Sequence, residues 1–172
     1  MRIELIAEAQ WQRYRAVRLR ALADTPDAFL RTFAEEEAFP EEDWRRRLSS
    51  GAKTFVAVLD GSDVGLVTGA YRRDQSGVAG LVGMWVAPEA RQRGIGLALV
   101  QRVIDWAQTA GFEQLILDVA DSNLSAISLY ERAGFQPTGS VSALPSPREH
   151  VTEHERSLSL RQGAPAAIDS LR

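Results

Sequence analysis

Val86-Ala87-Pro88-Glu89-Ala90-Arg91-Gln92-Arg93-Gly94-Ile95-Gly96-Leu97-Ala98 decides how this chain is read. The apolar run 81–86 ahead of Pro88 has the length and composition of a buried strand. Two arginines and two glycines follow, spaced Arg-x-Arg-Gly-x-Gly. Then Leu97, Val100, Val103, Ile104 and Ala107 recur at helical spacing. The loop therefore sits at a helix N-terminus, where unpaired N–H groups and the positive dipole end favour an anion. Glycine lets backbone approach phosphate oxygens closely, and Arg91 and Arg93 add charge. On the loop alone two readings stand, a phosphate site and an ordinary helix start. The dinucleotide fingerprint is excluded because Gly-x-Gly-x-x-Gly is absent, and the P-loop because no Gly-Lys-Ser/Thr follows.

A second segment has the same build. Residues 115–119 (Leu-Ile-Leu-Asp-Val) read as a strand, and Asp121-Ser122-Asn123 supplies a helix N-cap. A short helix follows over 123–133, closed by Gly134, and Phe135 opens another strand. Together the two segments resemble the GNAT family of N-acetyltransferases. The family's pyrophosphate loop, Gln/Arg-x-x-Gly-x-Gly/Ala, is matched by Arg91-Gln92-Arg93-Gly94-Ile95-Gly96. Its second motif, Asn-x-x-Ala-x-x-Leu-Tyr-x-x-x-Gly-Phe, is matched by Asn123, Ala126, Leu129, Tyr130, Gly134 and Phe135. The resemblance runs over 2–160 and is densest over 81–136. It implies a mixed, mostly antiparallel α/β sheet flanked by helices, with the strands before the two motifs splayed around the cofactor. It implies acetyl-CoA as co-substrate, an amine of a small molecule or peptide as acceptor, no metal, and a monomer or homodimer. The residues it assigns to the cofactor are Val86, Arg91, Gln92, Arg93, Gly94, Ile95, Gly96, Leu97, Asn123 and Tyr130.

Composition bounds the alternatives. A chain of 172 residues with 45% apolar and 25% charged residues is an ordinary globular domain. We expect one domain over 1–160 and a frayed tail over 161–172. The net charge of −3 offers no basic field for nucleic acid or an anionic membrane. With no cysteine there is no disulfide and no thiol nucleophile. No signal peptide or membrane-length apolar run is present, so a cytoplasmic location is expected. Lys53 is the single lysine against nineteen arginines, which suggests a GC-rich bacterial genome.

Elsewhere the pattern predicts a strand over 3–6, a helix over 9–23, and one or two helices over 34–50 interrupted at Pro40. A hairpin is expected over 55–59 and 64–71 around Asp60-Gly61. Later come a strand over 135–139, a loop over 140–149, and a last strand over 151–160.

Amide formation needs a neutral amine. Deprotonating a lysine-type amine at neutral pH costs about 4.6 kcal/mol, and a peptide α-amine about 1 kcal/mol. The family places its general acid at the position of Tyr130, seven residues after Asn123 and so on one helix face with it. Tyr130 as packing alone is the other reading. Many members carry a glutamate base on the strand before the phosphate loop, but residues 80–86 hold no ionisable side chain. One branch, acting on ribosomal-protein alanine, has a glutamate where this chain has Asp118, which is shorter by one methylene and suits relay through water. A strand-end carboxylate with a structural role is the alternative. Phe29, Phe33 and Glu35–Glu37 are either an acceptor wall with acidic steering or core phenylalanines beside a helix start. His150 and His154 read as surface residues. A CoA-binding sensor that has lost turnover, and a nucleotide-binding protein outside the family, are the competing functions.

Overall fold

The computed structural model describes residues 1–72 and 74–160. The expected frayed tail from Arg161 lies outside them. The strands are β1 (Arg2–Leu5), β2 (Lys53–Leu59), β3 (Ser62–Tyr71), β4 (Val78–Val86), β5 (Gln114–Ala120), β6 (Gln136–Ala143) and β7 (Thr152–Ser159). The helices are α1 (Trp11–Asp24), α2 (Phe33–Glu37), α3 (Glu41–Ser49), α4 (Ile95–Thr109) and α5 (Leu124–Arg132). The strands form one sheet in the order β1-β2-β3-β4-β5-β7-β6. Only β4 and β5 pair in parallel; the other neighbours are antiparallel. The expected α/β architecture is present.

Local signals act where they were read. Pro40 stands between α2 and α3 as the N-cap of α3. Asp60 and Gly61, both at positive φ, turn the β2–β3 hairpin. One expectation fails: residues 140–143 belong to β6, not to a loop. All eight β6 residues are exposed, and Pro137 and Gly139 interrupt any alternation. This strand exists because it pairs with β7, from Gln136 opposite Ser157 to Ala143 opposite Thr152. Its own side-chain pattern has no face to bury.

The sheet opens in the middle. The β4–β5 ladder holds only Val78–Gly80 against Gln114–Ile116. Beyond it β4 bulges, with Leu66 opposite Trp85 and Thr68 opposite Val82. Gly83 and Met84 there stand against the single Val67, and Gly83 sits at φ 66°, where glycine is unstrained. A bulge bends its strand and ends regular pairing. β4 and β5 therefore diverge toward their C-terminal ends, as the resemblance implied.

Helices cover both faces. Leu99, Val100, Val103, Ile104 and Ala107 of α4 are buried on one. On the other, Val17, Ala21 and Leu22 of α1 are buried. There Arg18 and Arg47 both grip Glu36, which has no solvent exposure. Arg18 donates to it at 2.8 and 2.9 Å, and Arg47 at 2.8 and 3.2 Å. Burial pushes the Glu36 carboxyl up, but the two guanidiniums outweigh it and hold the group below its ordinary range.

Candidate active site

A cleft of about 900 Å³ fills the divergence between β4 and β5. One wall is the loop before α4. Gly94 is the N-cap of α4 at φ 76°, and Gln92 is also left-handed at φ 60°. Ala98 is the first amide of the helix to find a carbonyl, Gly94 O at 3.1 Å. The backbone amides of 92–97 have no acceptor among the described residues. They form a row of donors at the positive end of a fifteen-residue helix, which is an anion cradle. Gln92, Gly94, Ile95, Gly96 and Leu97 line the cleft. Gly96 also serves packing: a Cβ there would stand 3.1 Å from Leu129 and 3.3 Å from Met84.

The two loop arginines part company. Arg93 is exposed, without a hydrogen bond or ion pair among the described residues, and does not line the cleft. Arg91 lines it but is engaged: its Nε donates to Val86 O at 3.0 Å, and its other end pairs with Asp24. Asp24 also accepts the Trp85 indole N–H at 2.8 Å. One carboxylate at the end of α1 thus holds both the end of β4 and the loop before α4. Sequence reading missed Asp24, Met84 and Trp85, and only the bulge in β4 shows why Met84 and Trp85 both face cleft or core. Arg132, in the last turn of α5, lines the cleft with no partner among the described residues. Its place inside the second motif was the available signal.

The opposite wall is the start of α5. Asn123 caps it, accepting from Ala126 N–H at 3.2 Å and from Ser125 Oγ at 3.2 Å. Those contacts occupy its carbonyl oxygen, and its amide nitrogen has no partner among the described residues. Tyr130 does not line the cleft; it is 5% exposed and packs edge-to-face on Phe135, centroids 5.8 Å apart. Its hydroxyl makes no hydrogen bond to the described residues, and burial raises its pKa well above the ordinary phenol value.

Asp118 lies on β5 opposite Glu155 of β7. It is exposed by area, yet packed closely enough that burial is the main cause of its raised pKa. Repulsion from Glu155 adds to the rise, and Arg72 opposes it. Glu153, two residues along β7, is raised by burial and by Asp118. His154 stands opposite Val119 on β7, and His150 is exposed in the preceding loop. Of the proposed acceptor wall, Phe29 is buried with the Arg18 guanidinium 4.4 Å over its ring. Glu35 closes a capping box with Thr32, and Glu36 is neutralised. The core and helix-start reading holds for these three.

Residues 14–135 match the profile of the acetyltransferase (GNAT) family. "Probable N-acetyltransferase camello" of Xenopus tropicalis is 38% identical over 99 residues, 58% of this chain and 45% of that protein. The chain thus matches less than half the length of the first curated relatives. Streptothricin acetyltransferase of Streptomyces lavendulae is 31% identical over 139 residues, 80% of this chain and 72% of that protein. In structure, the putative acetyltransferase yncA of Salmonella typhimurium, solved with its cofactor acetyl-CoA, superposes with TM-score 0.78 at 19% identity, covering 97% of this chain and 98% of that one. With the motifs at the cleft and the profile spanning most of its length, this chain belongs to the GNAT acetyltransferase family.

Proposed function

We propose that this protein transfers an acetyl group from acetyl-CoA to a primary amine of a small molecule or peptide. The row of unpartnered amides at 92–97 carries the reading. Donors fixed by the backbone and aimed from a helix N-terminus suit a pyrophosphate. The cleft beside them, walled by Met84, Val86, Leu97, Ala126 and Leu129, suits an apolar arm. The residues present thus fit CoA, with Gln92–Leu97 and Asn123 as its holders. When bound, acetyl-CoA supplies a thioester carbonyl as the electrophile.

The chain's own residues then have two tasks. Asp118 takes the proton from the ammonium, directly or through water, and its raised pKa brings it closer to working pH, which favours a base. Tyr130 keeps its proton at neutral pH because burial disfavours the phenolate, and so serves as donor to the departing sulfur. The absence of any ionisable side chain on 80–86 favours a second reading, a CoA-binding sensor without turnover. Thiol release from acetyl-CoA separates the two. The amines are an alanine-terminated peptide, a lysine peptide, spermidine and an aminoglycoside. Release with any of them supports the enzyme; CoA binding by calorimetry without release supports the sensor.

A further inference from the structure

Arg148 lies between β6 and β7, in a loop whose ends, Leu144 and Val151, pack on Ala120 at the tip of β5. Its residue is 9% exposed. The guanidinium donates to three backbone carbonyls: Pro26 O at 2.8 Å, Phe29 O at 2.7 Å and Leu30 O at 2.7 Å. These partners are 118 to 122 residues away in sequence. They belong to the segment after α1, where Pro26, Asp27 and Ala28 line the cleft.

No carboxylate hydrogen-bonds this arginine among the described residues. A guanidinium offers a planar fork of fixed donors, and here its two terminal nitrogens meet converging main-chain oxygens while the buried Nε has no partner among the described residues. Such an arrangement holds backbone in place. Its position matters because the sheet joins its two halves through only three β4–β5 pairs, at the closed end of the splay. At the open end Arg148 ties the first half, through 26–30, to the second half, through the loop on Ala120.

We propose that Arg148 is a positioning residue, a latch that holds segment 26–30 across the open end of the cleft and so shapes the acceptor side. The proposal rests on reading the cleft as an amine acetylation site. The anion cradle at 92–97 does not use Arg148, so cofactor binding is separable from the latch.

The test uses the full chain and Arg148→Lys, which keeps the charge and loses the fork, with Arg148→Gln as a second variant should the first fold poorly. Hydrogen exchange is read on peptides covering 26–31. In the variant this segment exchanges about tenfold faster, while the β2–β3 hairpin does not change. CoA affinity by calorimetry stays within about threefold. For whichever of the alanine-terminated peptide, lysine peptide or spermidine the wild type acetylates best, KM rises about fivefold and kcat changes less. Unchanged exchange at 26–31 overturns the latch. So does a loss of CoA affinity as large as the rise in amine KM, which marks general loosening. If the wild type acetylates none of these amines, that amine reading fails separately, and the exchange result still decides the latch.

Discussion

The two sides of the cleft are held by different physics. The side proposed for the cofactor is a loop and two helix starts, in which backbone amides offer the donors and residues near in sequence set their geometry: Gly94 for the turn, Asn123 for the cap of α5. The side proposed for the acceptor is held at long range by charge: Arg148 sits on three carbonyls, and behind the wall Glu36 lies between Arg18 and Arg47. Asp24 stands at the border and ties α1 to both Trp85 and Arg91. Backbone amides do not titrate and are not removed by side-chain substitution. Buried ion pairs are costly to break on one side only, because the remaining charge is stranded. The same cleft should therefore answer differently to substitutions on its two sides.

The largest effect is expected at the chemical step itself. Tyr130→Phe keeps the ring against Phe135, so the fold should survive with CoA affinity close to wild type. General acid catalysis is typically worth about 10²- to 10⁴-fold in rate, and kcat should fall toward that range where chemistry limits turnover. Wild-type kcat in a folded Phe variant would leave Tyr130 as packing alone.

Glu36→Ala probes the long-range charged packing. It strands two arginines at a buried site, a change that typically costs about 3–5 kcal/mol. At about 2–4 °C per kcal/mol for a domain of this size, the melting midpoint should drop by about 6–20 °C. The lowered pKa of Glu36 fixes the pH dependence: its stabilisation is complete above the unfolded carboxylate value and is lost as pH falls through the folded one. A wild-type midpoint at pH 7 would show that the pair does not organise the three helices.

Gly94→Glu probes the cofactor side. Nothing lies within 4 Å of a Cβ placed there, so the substitution does not clash with the protein. It strains a residue at φ 76° and sets a carboxylate in an anion site. CoA affinity by calorimetry should fall at least about tenfold, or ~1.4 kcal/mol, with a smaller loss of stability than Glu36→Ala. Unchanged affinity would remove this loop from the cofactor site.

Asp118→Asn gives the smallest and most conditional change. A carboxyl whose folded pKa is raised contributes stability below its unfolded value and loses it as pH rises through the folded one. The variant should therefore melt higher than wild type above the carboxylate range and match it in acid. As a base, Asp118 should matter most for acceptors of high pKa, so the acidic limb of the pH–rate profile should move. A profile that superimposes on wild type with a lysine peptide makes Asp118 structural.

The order of elements, the glycine turn before α4 and the α5 cap were legible because each rests on contacts within a few residues. A glycine at a left-handed N-cap, an asparagine three residues before the amide it accepts, and a helical repeat from Leu97 to Ala107 all act locally, so composition and spacing reveal them. β6 was half hidden, since its only support is the ladder to β7. Asp24 and Arg148 carry no signal in the chain, and Glu36 reads there as acidic steering or part of a helix start. Folding brings Asp24 to residues 61 and 67 positions away and Arg148 to carbonyls more than 115 positions away. A charged side chain carries no periodic signal for its distant partner, because its reach comes from rotamers and burial that only packing sets. Local backbone chemistry thus built the loop and the helix cap that mark this chain's family, and the packing of distant charged residues shaped the rest of the cleft.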